Sequence, residues 1–365
     1  MNQKPLIIIS AVRFFQGGSI VIVNDCLTFL SENLSDKYRI IALVYKKDLY
    51  SALANIEFIE FPKARKNIFY RLYYEYFYFN TFSKKQQPLL WLSMQDSTPR
   101  VKASIRALYY HNPLLYYKHP LQLFLIQWRL GFMWWLYKTV YTKNIKQNNF
   151  IIVQQENMRA MLAEKFHLPK EKIWIFPPEI NDYKISVLPK NEKYSFLFPA
   201  TALAFKNYKV IFKACNILNK TNSNYKFFLT VKGNENRYLR SLKRKYSLPQ
   251  IEFIGFLERS ELFSLYNNTD CMIFPSFMET WGLPLSEFSL QDKPIICADL
   301  SYARETLHDY DKVKFFDPND AETLAAYMLQ AMNEELLFDK TSFQYSEPNI
   351  QNWKDLFDKI LSKTL

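Results

Sequence analysis

Two glutamates eight positions apart, Glu279 and Glu287, bracket one of only six glycines in a chain of 365 residues. The stretch reads Met278-Glu279-Thr280-Trp281-Gly282-Leu283-Pro284-Leu285-Ser286-Glu287. It follows an apolar run, Cys271 to Phe274, that stops at Pro275, and it precedes a helical pattern that opens near Pro284. In an open parallel sheet, ligands collect where a strand ends and a helix begins. Gly282 would let the backbone approach a ligand closely. The amides of Trp281 to Leu283, near a helix N-terminus, would suit a diphosphate, and Glu287 on the first turn of that helix could accept bonds from ribose hydroxyls. The same pattern is also that of a plain strand-loop-helix with two solvated glutamates.

Three further places carry candidate chemistry. Gly17 and Gly18 follow the first apolar run in Phe14-Phe15-Gln16-Gly17-Gly18-Ser19, although any tight β-α turn would use such a pair. His111 closes a strand-like run and precedes Asn112-Pro113, which sets it apart from His119, His167 and His308. A lone histidine is more often structural than catalytic. Lys232 stands at a strand end before Gly233. Asp309-Tyr310-Asp311 has the look of a metal-binding pair but reads as a solvated turn, and no metal-ligand cluster is evident.

The elements that must position these residues alternate along the chain. Strands are predicted at Leu6 to Ser10, Tyr38 to Tyr45, Ile56 to Phe61, Pro88 to Met94, up to His111, and at Phe150 to Gln155. After Pro177 and Pro178, a plausible hinge, the alternation resumes. Strands are expected at Tyr194 to Pro199, Lys226 to Val231, Ile251 to Phe253, Cys271 to Phe274 and Pro294 to Cys297, with helices between. Short apolar runs alternating with helical spacing imply parallel β-α units. The expected architecture is α/β: two Rossmann-like, doubly wound domains facing each other across a cleft. The first is expected over 1–180 and the second over 181–345, with an amphipathic helix over 346–365 packing back toward the first.

Composition sets the outer bounds. A hydrophobic fraction of 49% is ample for packed cores, and the length favours two domains. A net charge of +12 and a pI near 9.2 favour an anionic partner. Cys26, Cys215, Cys271 and Cys297 are scattered without metal-like spacing and read as small buried hydrophobes in a reducing compartment. The apolar start is too short for a secretory signal. Leu121 to Tyr141 is long enough to span a bilayer, but Gln122, Gln127, Arg129 and Lys138 interrupt it, so a buried or interfacial helix is expected.

The segment from Phe274 to Leu300 resembles the signature of retaining family-4 glycosyltransferases (glycosyl transferases group 1), with seven residues separating its two glutamates and Gly-x-Pro between them. Ile251 to Ser276, Val153 to Asp182, Phe196 to Ala214 and Phe14 to Leu30 are similar to other parts of that family, so the resemblance covers most of residues 6 to 330. It implies the GT-B fold and a sugar moved from a nucleotide-diphosphate donor to a glycan or lipid-linked acceptor, as in capsule or O-antigen assembly. By the same resemblance Glu287 binds the donor ribose and Glu279 the hydroxyls of the transferred sugar. Thr280, Trp281, Gly282 and Leu283 hold sugar and diphosphate, and Lys206 neutralises the leaving diphosphate. Gly17 and Gly18 face the donor phosphates, and His111 lies near the transferred sugar. A fixed cation is worth most where charge develops on the leaving oxygen. The family's arginine ahead of the lysine is absent, Thr201 or Ala202 occupying that region, so Lys232 is assigned to help Lys206. No cofactor or metal is expected, and the family offers no agreed nucleophile; attack on the face of departure is implied.

Lys63 to Lys85 mixes six basic residues with nine aromatics. It suits either an interfacial helix on anionic lipid or a core helix with solvated ends. With Leu121 to Tyr141 it favours a cytoplasmic protein in peripheral contact with the inner face of the membrane. Among rival functions, a phosphorylase would need a longer chain and a cofactor lysine, and an epimerase lacks the two-glutamate context. Basic-aromatic interleaving could stack bases, but no nucleic-acid module is recognisable.

Overall fold

A computed structural model describes residues 4–15, 17–50, 53–117, 120–180 and 191–362. The chain divides into two compact units, the first comprising residues 1–116, 133–179 and 345–365 and the second residues 117–132 and 180–344. The boundary expected at 180/181 adjoins residues 181–190, which lie outside the described residues.

The first unit holds a seven-stranded sheet in the order β3-β2-β1-β4-β5-β6-β7, every pairing parallel. Its strands are β1 (Leu6–Ala11), β2 (Arg39–Val44), β3 (Glu57–Glu60), β4 (Leu90–Ser93), β5 (Ile105–Tyr110), β6 (Phe150–Val153) and β7 (Ile173–Ile175). All six residues of β1 are buried, as a central parallel strand covered on both faces requires. Ile7, Ile9 and Ala11 face a core shared with the helix Gly18–Asn33 and the terminal helix Trp353–Ser362, while Leu6 and Ile8 face Phe61, Phe79 and Trp91 on the other side. The terminal helix seats Trp353, Leu356, Phe357 and Ile360 in the first core, an i, i+3, i+4, i+7 stripe, with Phe357 stacked on Phe29.

The second unit holds a six-stranded parallel sheet in the order β10-β9-β8-β11-β12-β13. The strands are β8 (Tyr194–Phe198), β9 (Tyr225–Leu229), β10 (Ile251–Phe253), β11 (Cys271–Phe274), β12 (Ile295–Ala298) and β13 (Val313–Phe316). Both sheets run 3-2-1-4-5-6 from their own first strand, the Rossmann order, with the reversal between local strands one and four. All four cysteines are free and buried.

Two strands escaped the sequence reading. Ile173–Ile175, expected to lie in the proline hinge, is the edge strand β7; its outer side is bonded to the returning chain through Ile175 N–H to Pro348 O and Ile350 N–H to Ile175 O. Val313–Phe316 is interrupted by Lys314, whose ammonium is matched by Asp339 at 2.9 Å. Residues 117–132, expected in the first domain, group with the second unit. There the Gln127 side chain donates to Ala202 O at 3.1 Å and accepts from Ala204 N–H at 3.2 Å. That glutamine also separates the helices Pro120–Ile126 and Trp128–Leu136. Leu125 is 87% exposed and Trp128 64%, so this stretch is not core. Among the described residues no helix is long and apolar enough to cross a membrane.

The segment 68–86 is continuous helix with a π-helical turn at Tyr74–Tyr78, begun by Asn67, whose side chain accepts from Tyr70 N–H. Its buried face carries Arg71, Glu75, Phe79 and Ser83. Phe69, Tyr73 and Phe77 lie outside, 77%, 53% and 66% exposed.

Candidate active site

β8 and β11 are neighbours, with Cys271 opposite Phe196 and Met272 opposite Leu197. The loops leaving their C-terminal ends therefore emerge side by side at the point where the strand order reverses, the preferred ligand position in such a sheet. Several bonds lock them together. Phe277 N–H donates to Phe205 O at 2.8 Å, and Asn207 Nδ2 donates to Pro275 O at 3.2 Å and Pro318 O at 2.7 Å. Tyr302 Oη donates to Ser276 O. Asn207 adopts a left-handed φ of 57°, the turn that ends Ala204–Lys206 and starts the helix Tyr208–Leu218.

This arrangement brings Lys206 and Glu279 together. Lys206 Nζ lies 2.5 Å from Glu279 Oε1, with side chains only 14% and 11% exposed. Just beyond, Gly282 caps the helix Leu283–Ser289 at φ 86°, ψ 53°, and Pro284 sits in the first turn, where its missing N–H costs nothing. A Cβ at Gly282 would approach Leu285 Cδ1 at 3.2 Å in a left-handed backbone that side chains avoid. Trp281 Nε1 donates to Ser286 Oγ at 2.8 Å, and the Thr306 hydroxyl donates to Trp281 O, so the turn is held from both sides. Thr280 and Leu283 are half-buried.

Glu287 falls one turn further into the helix than the sequence suggested and is buried. Its Oε1 meets Arg259 Nη2 at 2.9 Å, and its Oε2 accepts from Tyr266 Oη at 3.1 Å. Burial pushes its pKa above the usual carboxylate range, while Arg259 and the tyrosine hydroxyl pull it back. Lys232, beyond the end of β9, is exposed; its backbone N–H donates to Glu235 Oε1 and its aliphatic stem passes over Gly255.

The remaining sequence candidates belong to the first unit. Gly17 caps the helix Gly18–Asn33 with a φ of 79°, so backbone conformation rather than crowding calls for glycine there. His111 follows β5 and is buried, its ring packed edge-on against Phe14 at 4.8 Å. Its backbone N–H donates to Asp96 Oδ1 at 2.7 Å, and the same oxygen lies 3.7 Å from Nε2. Asp96, on the loop after β4, also pairs with Arg13 from the loop after β1, at 3.3 Å. Burial holds the His111 pKa below normal, reinforced by Arg13 and opposed by Asp96 and the Met94 carbonyl.

Sequence reasoning missed Arg259, Tyr266, Asn207, Asp96 and Arg13. Asp96 carried the strand-end signal that singled out His111, and Asn207 adjoins Lys206. Nothing in the spacing of Arg259 ties it to Glu287. Asp309 is 86% exposed and pairs with His308 at 2.9 Å. Among the described residues no group of three or more His, Cys, Asp or Glu is placed to hold a metal ion.

Residues 180–351 match the family model described as glycosyl transferases group 1. The chain is 27% identical over 157 residues to the O-antigen chain mannosyltransferase B of Escherichia coli; the match takes in 40% of this chain and 41% of that protein, about two fifths of the curated relative's length. Among solved structures, the chain resembles WaaG, a glycosyltransferase involved in lipopolysaccharide biosynthesis (TM-score 0.67, 13% identity, 90% of each chain). It also resembles the apo form of the lipopolysaccharide outer core galactosyltransferase WaaB (TM-score 0.64, 12% identity, 99% of this chain and 100% of the other). A third likeness is to Anabaena Alr3699/HepE in complex with UDP-glucose (TM-score 0.61, 11% identity, 90% of each chain). The chain has the GT-B fold, and its match to the glycosyl transferases group 1 model lies in residues 180–351.

Proposed function

We propose that this protein is a retaining glycosyltransferase that moves a sugar from a nucleotide-diphosphate donor to a glycan or lipid-linked glycan. The observation that carries the reading is the Lys206–Glu279 pair at 2.5 Å beside the glycine turn, at the strand reversal of the second sheet. A cation poised there stabilises the charge that grows on the leaving diphosphate. In this reading Lys206 faces that diphosphate, with Lys232 as a second cation, and the backbone from Thr280 to Leu283 holds sugar and phosphate. Glu279 reads the sugar hydroxyls and Glu287 the ribose. Gly17 and Gly18 face the phosphates, and His111 stands near the transferred sugar. The acceptor hydroxyl attacks the anomeric carbon on the face from which the diphosphate departs; its proton passes to the donor phosphate, and no side chain is assigned as nucleophile or base. This route uses no metal.

The O-antigen and lipopolysaccharide relatives favour an acceptor in O-antigen or capsule assembly, and the UDP-glucose complex makes uridine the first base to try. The exposed Phe69, Tyr73 and Phe77 stripe, close to Lys63, Lys66, Lys84 and Lys85 in sequence, supports a peripheral position on anionic membrane. The test is a thermal-shift titration with UDP, GDP, dTDP, ADP and CMP, with and without magnesium. A ligand selective for the folded state stabilises it by about 2.7 kcal/mol at a hundredfold excess over Kd. A metal-independent shift for one nucleotide is the expected result. Flat curves for all five would remove the donor site from the proposal.

A further inference from the structure

Arg259 opens the helix Arg259–Asn268, inside the segment Ile251 to Ser276 that shares in the family resemblance, but the resemblance assigns it no role there. Its position is nevertheless fixed: Glu258 N–H donates to Glu261 Oε2 at 2.8 Å, closing the start of the helix, and the guanidinium lies 5.5 Å from the centre of the Phe263 ring. From there it reaches Glu287 Oε1 at 2.9 Å, while Tyr266, one face along the same helix, donates to Oε2 at 3.1 Å. Glu287 is thus gripped at both oxygens from one helix, yet each carboxylate oxygen keeps a further lone pair for a ligand hydroxyl.

We propose that Arg259 is a positioning residue for ribose recognition: it holds the buried Glu287 carboxylate charged and aimed, so that the site distinguishes a ribose from a deoxygenated sugar. The inference rests on the reading of Glu287 as the ribose acceptor. The physical reason is that a carboxylate in this setting is costly to ionise alone. Burial already drives Glu287 toward its neutral form, and among the described residues the charged and titratable groups facing it are Arg259 and Tyr266. Without the guanidinium the carboxyl protonates more readily, and the hydrogen bonds it offers lose their charge assistance.

The experiment titrates UDP, GDP and ADP against their 2′,3′-dideoxy counterparts, using wild type, Arg259→Met and Arg259→Lys, from about pH 6 to about pH 9. Wild type is expected to prefer the ribose form of its nucleotide by about tenfold or more, the worth of one charge-assisted bond. Arg259→Met should lose most of that preference near neutrality and recover it as pH rises, with dideoxy binding unchanged. Arg259→Lys should keep it. Should the methionine variant fail to fold, Arg259→Gln is read in the same way. A methionine variant with wild-type preference at every pH overturns the inference, as does equal loss of ribose and dideoxy binding, which marks a merely structural role. A wild type that binds nucleotide without ribose preference overturns the role of Glu287 itself, and the proposal with it.

Discussion

Replacing Lys206 by methionine keeps most of the aliphatic stem but removes the ammonium, whose nitrogen lies 5.7 and 5.9 Å from the Phe205 and Phe274 ring centres. What it leaves behind is Glu279, 11% exposed, with its partner at 2.5 Å gone. Exposed ion pairs contribute up to about 1 kcal/mol, whereas removing one partner of a buried pair costs about 3–5 kcal/mol. Exposures of 14% and 11% place this pair near the buried end. We expect Lys206→Met to cost about 2–3 kcal/mol, and Glu279→Gln a similar amount. With about 2–4 °C per kcal/mol for a unit of this size, each single variant should melt about 5–10 °C early. The double variant should cost far less than the sum, giving a coupling of about 1.5–3 kcal/mol in a double-mutant cycle. The assay is calorimetric melting of the four proteins without ligand, followed by titration with a nucleoside diphosphate. Glu279→Gln should bind the bare diphosphate more tightly than wild type, because the carboxylate no longer competes for Lys206; Lys206→Met should bind it more weakly. Strictly additive single and double variants would refute the pair as a coupled unit, and weaker diphosphate binding by Glu279→Gln would refute the competition.

Gly282→Ala should cost about 1–2 kcal/mol of stability in urea denaturation, since a left-handed φ of 86° is disfavoured for alanine and its Cβ would press on Leu285. Joint replacement of Phe69, Tyr73 and Phe77 by serine should abolish co-sedimentation with phosphatidylglycerol vesicles and leave the melting temperature unchanged, because all three rings are exposed. Buried His111 has its pKa depressed, so its contribution to stability is present above the unfolded value of about 6.5 and is lost as pH falls through the folded value. His111→Gln should therefore flatten the loss of stability on acidification, read from urea midpoints at a series of pH values. Leu356→Ala, in the fully buried stripe of the terminal helix, should destabilise the first unit by about 2–5 kcal/mol in the same assay.

The alternation of apolar runs with helical spacing was enough to read two parallel-sheet units, because each central strand is buried on both faces and so advertises itself as a continuous apolar run. Strand order was not contained in that pattern. Lys206 and Glu279 are 73 positions apart and meet only because β8 and β11 are neighbours. The resemblance supplied both residues, but not their direct pairing. Arg259 and Asp96 show the complementary limit: their roles come from the carboxylate or imidazole beside them, and no property of their own sequence neighbourhood announces that partner. β7 was missed for a different reason: Pro177 and Pro178, two positions beyond its end, marked the segment as a hinge.

The helix over 68–86 shows why periodicity alone cannot say which face is inside. Phe69, Tyr73 and Phe77 have the i, i+4, i+8 spacing of a core stripe, and Arg71 with Glu75 the i, i+4 spacing of a surface ion pair. The structure reverses both. Arg71 Nε donates to Glu75 Oε1 at 2.6 Å, its Nη2 reaches Gln95 O and Ser97 Oγ at 3.4 Å, and Gln95 Nε2 donates to Glu75 Oε1 at 3.1 Å. The guanidinium also lies 4.0 Å from the centre of the Tyr141 ring. Two buried charges are tolerated when paired and hydrogen-bonded in this way, whereas either alone would be expensive. The polar network that fills the inner face comes from residues 95, 97 and 141, well beyond any window in which helical periodicity is read. Once that face is occupied by matched charges, the aromatic stripe has no core left to enter, and three rings stand in solvent.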